Sequence, residues 1–251
     1  MLETDFKRLP SNTKQLIEDS RSFNDALDVL MNVTGELGFT QVLYAYQPVR
    51  PQLPNGDWLP LKLNVRNFPK GWEEGWERFM KVDPYYRACF DGTLPIDWAK
   101  VQTSEQLASV QREACEYLGD FGLTRGITVP AHLPFGRFAV MSAIIDRPNV
   151  VWDTMLDQTR EPLFRLMHVF TKVIFDLGFE AQIDVVRWNK LTPRELECLR
   201  WAAAGKTSGE TAIILGRSLE TVRLHIKNAI TKLEATNRSQ AVAMAIRLGL
   251  I

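Results

Sequence analysis

The spacing of apolar residues divides the chain into segments with a helical pattern and segments with a strand pattern. Apolar residues recur every three or four positions from about Ser11 to Leu37 and again from Trp152 to Leu177. This period predicts two long helices, and Gly178 is suited to end the second. Four intervening segments rich in β-branched and aromatic residues predict strands, namely residues 39–46, 61–65, 126–130 and 138–145. Residues 103–121 predict a further helix with Ser104 as its cap.

These helices and strands are mixed without strict alternation. That order predicts an α+β fold, in which an N-terminal α-β-α sandwich contains an antiparallel sheet. Residues 192–233 have a different pattern, with three short helical segments that each carry a start signal. Thr192 and Glu195, and then Thr207 and Glu210, have the spacing of capping boxes, and Ser218 is a suitable cap for the third helix.

Two glycines, Gly205 and Gly216, follow the first two of these helices and can end them. A fourth helical segment covers about Asn237 to Leu248. Helix, short turn and helix in this order is the arrangement of helix-turn-helix DNA-binding proteins. The C-terminal part is therefore predicted to be an all-α helix-turn-helix unit built as a four-helix bundle.

The third helix of this unit divides its residues into two sides when they are placed at about 100° per residue. The apolar side consists of Val222, Ile226, Ala229 and Leu233. The opposite side contains Glu220, Arg223, Leu224, Lys227 and Thr231, and one flank contains Thr221, His225, Asn228 and Lys232. A helix in the major groove needs donors toward bases, and an exposed leucine can contact a thymine methyl. An ordinary amphipathic surface helix is the alternative, and the two capped helices before it favour DNA binding.

Charged residues are distributed unevenly along the chain. The formal net charge is zero, but residues 190–251 contain ten Lys and Arg against five Asp and Glu, so the rest of the chain is acidic. A basic C-terminal part is suited to binding nucleic acid.

The three cysteines, Cys89, Cys115 and Cys198, are far apart, and no signal peptide or membrane span is visible. These features predict a cytoplasmic protein without disulfides.

Enzymatic and metal-binding motifs are absent from the sequence. The three histidines are scattered without a partner at metal-ligand spacing, and no nucleophile elbow or zinc-protease motif occurs. Asp83, Asp91 and Asp97 are the remaining candidates for acid–base chemistry, but the sequence does not show that they converge. We therefore expect a protein that is not an enzyme and that has no cofactor or metal, while an enzyme with an auxiliary DNA-binding domain remains the alternative.

Two resemblances refine these expectations. The segments LTPRELECLRWAAAGKT and ILGRSLETVRLHIKNAITKLEATNRSQAVAMAIRLGLI resemble the DNA-binding domain of LuxR-type transcription regulators. Upstream, an ordered set of residues resembles the autoinducer-binding domain of the quorum-sensing branch: Trp72, Asp83 with Pro84, Trp98, Gly126, Pro130, Gly136 and Ser142. The resemblance implies a ligand-binding domain over residues 1–178, a linker over 179–189 and a DNA-binding domain over 190–251.

The ligand implied by this resemblance is an N-acyl-homoserine lactone. By family position, the Trp72 indole donates to the ring carbonyl, Asp83 accepts the amide N–H, and Trp76 and Ser142 donate toward the acyl carbonyl. The predicted ligand-binding set also includes Trp98 and Tyr44. Each tryptophan has core packing as its alternative role, and Asp83 has helix capping.

Two features of this ligand-binding part depart from the family pattern. The family commonly has tyrosine where this chain has Trp76, and the segment from Trp76 to Asp83 is two residues shorter than usual. The sequence therefore leaves open which of Trp72 and Trp76 contacts the lactone ring. The bulkier indole favours a short, branched or aromatic acyl group.

The resemblance also implies how the C-terminal unit works. Arg223 and Lys227 contact bases, while a second group of residues holds phosphates: Thr221, His225, Asn228, Lys206 and Arg238. A homodimer would bind a two-fold-symmetric promoter site with half-sites about 10 bp apart, and RNA polymerase is a further expected partner. The alternative is a LuxR-type regulator that senses a non-lactone small molecule or acts without a ligand.

Overall fold

The computed structural model describes residues 8–48, 58–90, 92–147, 150–183 and 191–251. The chain forms two compact units. The first contains a five-stranded sheet with its helices, and the second contains the helices that follow residue 191. The predicted linker contains a 3-10 turn at Phe179–Gln182, and the remainder of it from residue 184 lies outside the described residues.

The N-terminal segment forms two helices, α1 (Thr13–Glu18) and α2 (Phe23–Glu36). The prediction of one continuous helix from Ser11 to Leu37 was therefore wrong. The break has a local cause, because the Ser22 hydroxyl accepts a hydrogen bond from the Asp25 N–H at 3.1 Å and caps α2. A serine competes in this way with a continuing helix.

The sheet contains β1 (Gln41–Gln47), β2 (Asn64–Arg66), β3 (Ile96–Asp97), β4 (Arg125–His132) and β5 (Phe138–Ile145). The strands lie in the order β2-β1-β5-β4-β3. In the antiparallel edge pairs, Leu43 lies opposite Val65, and Asp97 lies opposite Ile127. The predicted strand at residues 61–65 is shifted, because β2 begins at Asn64, and the short edge strand β3 had no signal in the sequence.

Helices cover both faces of the sheet, which confirms the predicted α-β-α sandwich. One face is covered by α1, α2 and α7 (Trp152–Asp176), and Tyr44 of β1 packs edge-on against Phe170 of α7 at a centroid distance of 5.0 Å. The helices around the other face are α3 (Trp72–Trp76), α4 (Pro84–Ala88), α5 (Trp98–Gln102) and α6 (Ser109–Asp120).

The predicted helix over residues 103–121 was only partly correct. The chain forms α5, then a turn, and α6 begins at Ser109. Ser104 does not cap α6, because its hydroxyl accepts from the Gln106 N–H within the turn at 3.3 Å. The Gln111 side chain instead accepts from the Ala108 N–H at 3.0 Å. This satisfies one of the N–H groups at the start of the helix.

The second unit contains α8 (Pro193–Ala203), α9 (Ser208–Leu215), α10 (Leu219–Lys232) and α11 (Arg238–Arg247). Both predicted capping boxes form. The Thr192 N–H donates to Glu195 at 2.7 Å, and the Thr207 N–H donates to Glu210 at 2.8 Å. Gly216 has a φ of 60°, a left-handed conformation that ends α9 and turns the chain toward α10. The helix-turn-helix prediction is confirmed.

Candidate ligand cavity and DNA-binding surface

A cavity lies in the first unit between the sheet and helices α3 to α6. Its walls are mainly aromatic and aliphatic, and they include Trp72, Trp76, Tyr85, Tyr86 and Trp98. The cavity has a volume of about 40 Å³. The cavity is therefore narrow, and it is suited to an apolar molecule of small cross-section.

The alternation of side chains along the strands decides which of their residues reach the cavity. Leu43 of β1, Thr128 of β4, and Val140 and Ser142 of β5 point into it. Tyr44 is a correction to the predicted set, because it lies one residue after Leu43 and faces the other side of the sheet. There its hydroxyl forms a hydrogen bond of 3.1 Å with Thr171 of α7.

Helix α3 supplies two of the predicted ligand residues. The rings of Trp72 and Trp76 both line the cavity, with centroids 6.3 Å apart. The Tyr117 hydroxyl of α6 donates to the Trp72 carbonyl at 2.6 Å and fixes the helix in place. A Cβ on Gly75 would lie 2.5 Å from that hydroxyl. Among the described residues, neither indole N–H has a hydrogen-bond partner, so both are available to a ligand.

Asp83 has a structural role and also lines the cavity. Its Oδ1 accepts from the N–H groups of Tyr85 at 2.8 Å and Tyr86 at 3.1 Å, which caps α4. The capping alternative is therefore realised, but it uses only one carboxylate oxygen and leaves Oδ2 for a ligand. Loss of solvation in the cavity wall raises the pKa of Asp83 to about 6, and the two cap bonds oppose this shift.

A chain of hydrogen bonds crosses the wall formed by α5, β4 and β5. The Trp98 indole N–H donates to Thr128 Oγ1 at 2.7 Å, and Thr128 lies 2.7 Å from the Ser142 hydroxyl. Trp98 stacks on Tyr85 with a centroid distance of 4.2 Å, and Gly126 leaves room for its ring. Trp98 therefore lines the cavity while its own donor is committed to the protein. Because Thr128 accepts from Trp98, its own hydroxyl can donate to Ser142, and Ser142 can then direct its hydroxyl hydrogen toward a ligand.

Five predicted ligand residues thus meet at this cavity, namely Trp72, Trp76, Asp83, Trp98 and Ser142. The sequence analysis missed Thr128 and Tyr85. The position of Thr128 could have been found from β4, because the flanking Ile127 and Val129 are fully buried and face the opposite side from it. Tyr85 had no comparable signal, since its position depends on how the short helix α4 meets α5.

The exposed side of α10 carries the predicted base-contacting residues. Arg223, Leu224 and Lys227 are exposed, and 55% of the Leu224 surface is accessible. Thr221 and His225 lie on the flank and are partly exposed, as is Asn228. The Thr221 N–H donates to the Ser218 hydroxyl at 3.1 Å, which fixes the start of the helix. The other helices of the second unit therefore leave this side of α10 accessible to DNA.

Lys206 and Arg238, two of the predicted phosphate contacts, have partners inside the unit. The Arg238 guanidinium donates to the Lys206 carbonyl and ties the start of α11 to the turn before α9. The Lys206 ammonium lies 3.7 Å from Glu210. Arg238 therefore stabilises the bundle, and it can contact a phosphate only with its remaining N–H groups.

A buried ion pair in the second unit was not anticipated. Both oxygens of Glu195 accept from the Lys232 ammonium, at 2.9 and 2.8 Å, in addition to the capping bond from Thr192. Burial tends to raise the pKa of Glu195, but the hydrogen bonds from Lys232 and Thr192 outweigh it, and the net shift is downward. The pair joins the first turn of α8 to the last turn of α10.

Other types of site are absent from the described part of the chain. The structure contains no group of three metal-ligating side chains, and no helix in it is long and apolar enough to cross a membrane. Within the residues that the structure describes, Cys89, Cys115 and Cys198 form no disulfide bond. A small-molecule cavity in one unit and a helix-turn-helix in the other define a ligand-responsive transcription regulator.

Comparison with known proteins identifies the family. Residues 22–172 match the autoinducer binding domain, and residues 189–245 match the bacterial regulatory proteins of the luxR family. The quorum-sensing regulator RhlR of Pseudomonas aeruginosa is 32% identical over 240 residues, which cover 94% of this chain and 92% of RhlR. The quorum sensing-dependent regulator RpaR of Rhodopseudomonas palustris is 31% identical over 216 residues, covering 85% and 83%.

The crystal structure of Escherichia coli SdiA has a similar fold, with a TM-score of 0.61 at 23% identity over 94% of this chain and 95% of SdiA. The chain belongs to the LuxR family of quorum-sensing transcriptional regulators, with an autoinducer-binding domain and a DNA-binding domain. Its relatives are transcriptional regulators, which confirms the prediction that the protein is not an enzyme.

Proposed function

We propose that the autoinducer of this protein is an N-acyl-homoserine lactone that binds in the cavity of the first unit. One observation carries the proposal: an apolar cavity presents the unpaired indole N–H groups of Trp72 and Trp76, the Asp83 Oδ2 and the Ser142 hydroxyl. An acyl-homoserine lactone offers two carbonyl acceptors, one amide donor and an apolar tail. The donors and the acceptor of the cavity match these groups.

In this proposal the Asp83 Oδ2 accepts the ligand amide N–H, while Oδ1 keeps its bonds to α4. One indole donates to the ring carbonyl, with Trp72 as the first candidate and Trp76 as the alternative. The other indole and Ser142 donate to the acyl carbonyl. A hydrogen bond to a charged acceptor contributes about 1.5–3 kcal/mol, against about 1 kcal/mol for a neutral pair, so loss of Asp83 should weaken binding most.

A short, branched or aromatic acyl group is the form of ligand that we favour. The narrow cavity supports it, because its aromatic and aliphatic walls leave little free space between them. The wall beside Ser142 is formed by Trp98 stacked on Tyr85. A planar or branched group can pack flat against these rings, whereas a long flexible chain requires the walls to move.

We further propose that the protein binds an inverted-repeat promoter site as a homodimer. Arg223, Leu224 and Lys227 would contact bases from the exposed side of α10, and Thr221, His225 and Asn228 would contact phosphates, with Lys206 and Arg238 beside them. Two such units related by a two-fold axis fit half-sites about 10 bp apart. Transcription control of this kind takes place in the cytoplasm and implies contact with RNA polymerase.

Ligand identity is tested by mass spectrometry of small molecules extracted from the full-length protein after expression in lactone-producing cells. We expect a bound acyl-homoserine lactone from the wild type and none from Asp83→Ala. Purified protein is then titrated with butanoyl, isovaleryl, aromatic and dodecanoyl lactones. Tightest binding of the dodecanoyl lactone would contradict the proposed acyl preference, and a non-lactone molecule in the extract would contradict the ligand class.

DNA binding is tested by titrating inverted-repeat duplexes with the full chain. Arg223→Ala should reduce affinity by about 1–3 kcal/mol and relax specificity at one base pair. Arg194→Ala is a matched control, because Arg194 is exposed on α8 and its ion pair is with Glu197 of the same helix, at 2.6 Å. Equal loss in both variants would contradict the assignment of α10.

The alternative is a regulator that senses a non-lactone molecule or acts without a ligand. A solved structure shows SdiA in complex with octanoyl-rac-glycerol, so an acyl glycerol is a suitable competitor in the titration. DNA binding by extracted, ligand-free protein at the same affinity as loaded protein would favour ligand-independent action.

A further inference from the structure

A second concave surface lies in the first unit and shares no lining residue with the cavity. We call it the α4–α5 groove. Tyr85 and Tyr86 of α4 face the cavity, whereas Pro84, Arg87 and Ala88 of the same helix line the groove. Its empty volume, which includes solvent at its open side, is about 1190 Å³. The groove is thus formed by the faces of α4 and α5 that the cavity does not use.

Three cations line the groove, namely Arg87, Lys100 and Arg160. None of them has an ion pair within the described part of the chain. Among the described residues that line the groove, Asp97 is the one carboxylate, and its Oδ1 already accepts from the Ala99 N–H at 3.0 Å and the Trp152 indole at 2.9 Å. The groove therefore presents a local excess of positive charge.

Arg160 of α7 gives an independent reason to expect an anion. Its Nε is buried and has no hydrogen-bond partner among the described residues. A buried, unsatisfied donor costs about 1–3 kcal/mol and more when it is charged, so native proteins rarely leave one without a partner. A carboxylate bound at the groove can accept from this guanidinium in the bidentate geometry that arginine prefers.

The remaining lining is apolar. Leu94 is 72% exposed, and Pro95, Ile96, Val101 and Leu107 lie on the same surface. An exposed leucine among other apolar residues beside unpaired cations matches a molecule that is part anion and part hydrocarbon. We propose that the α4–α5 groove binds a small amphipathic carboxylate, with its head on Arg160 and Arg87 and its tail on the apolar side. This inference does not depend on the identity of the autoinducer.

The experiment is isothermal titration of full-length protein with octanoate, and with 1-octanol as the uncharged probe of equal chain length. Arg160→Met and Arg87→Met should each weaken octanoate binding by at least about tenfold, the loss expected for one charge-assisted hydrogen bond. Neither variant should change the affinity for 1-octanol. Arg165→Met is the matched control, since Arg165 is exposed on α7 outside the groove.

Two results would overturn the proposal. One is octanoate binding that is absent in the wild type or equally strong in Arg160→Met, and the other is an equal loss in Arg165→Met. Far-ultraviolet circular dichroism and the unfolding midpoint are recorded for each variant. If Arg160→Met does not fold, Arg87→Met decides the question, because Arg87 is exposed and its removal leaves no buried gap.

Discussion

Replacement of Asp83 by asparagine separates the two roles of this side chain. In the variant, the amide oxygen can still accept from the N–H groups of Tyr85 and Tyr86, which Asp83 Oδ1 bonds at 2.8 and 3.1 Å. The cap of α4 is therefore kept. What Asp83→Asn removes is the negative charge in the cavity wall, and with it the acceptor that we propose for the ligand amide.

The size of the effect follows from the pKa of Asp83, which loss of solvation raises from 3.8 to about 6. Because the folded protein holds this proton more tightly than the unfolded chain, wild-type stability falls as the pH rises from about 4 to 6. At about 1.4 kcal/mol per pKa unit, the deficit above pH 6 is at most about 3 kcal/mol.

Ligand-free Asp83→Asn should therefore be more stable than wild type at pH 8 and equally stable at pH 4. Urea unfolding followed by tryptophan fluorescence measures this difference. Asp83→Ala is the control, because it removes both the charge and the cap, and it should lose most of the gain. A gain of equal size at both pH values, or a loss of stability at pH 8, would refute the reasoning.

The same variant should bind the lactone more weakly than wild type does. A neutral amide oxygen replaces a charged acceptor, and the expected loss is about 1 kcal/mol or more. Asp83→Asn would then be more stable without ligand and less responsive to it. Such a result would mean that the free protein is destabilised at the position where it binds its ligand.

Two further pairs of substitutions test packing and charge. Gly75→Ala should lower the free energy of unfolding by about 1–3 kcal/mol, because the added Cβ would lie 2.5 Å from the Tyr117 hydroxyl. Gly35→Ala should instead raise the free energy of unfolding by about 0.5–1 kcal/mol, because its added Cβ would have no atom within 4 Å and alanine favours the helix. Thermal unfolding compares the two, and equal signs would contradict the contact. Lys232→Met should cost about 3 kcal/mol, the low end for a buried pair since the Lys232 side chain is 35% exposed. Lys172→Met removes an exposed ion pair and should lower the free energy of unfolding by less than about 1 kcal/mol. A similar loss in both variants would show that Lys232→Met does not leave Glu195 as a buried charge without a partner.

The second unit was predictable because its signals are local. Each capping box lies within four residues, and Gly216 ends α9 where the chain must adopt positive φ. The core side of α10 follows from the helical period alone, and Val222, Ile226 and Ala229 are buried as expected. What the period could not give is the pairing of Glu195 with Lys232, which are 37 residues apart.

The cavity was predictable only in part, because it depends on contacts between distant segments. The order of Trp72, Asp83, Trp98 and Ser142 resembles the family, and the structure brings these residues together. Tyr44 shows where this reasoning fails, since strand alternation assigns a residue to one of two faces, and the sequence does not say which face is lined by ligand-binding residues.

The pair between Glu195 and Lys232 also affects how salt acts on DNA binding. A cation that is neutralised inside its own unit cannot displace the ions condensed on a duplex. Lys232, held at 2.8 Å from its carboxylate, therefore adds nothing to the slope of log affinity against log salt concentration, to which each true phosphate contact adds about 0.9. The salt dependence of DNA affinity thus counts only the basic side chains that contact phosphates, and not every Lys and Arg of the C-terminal sequence.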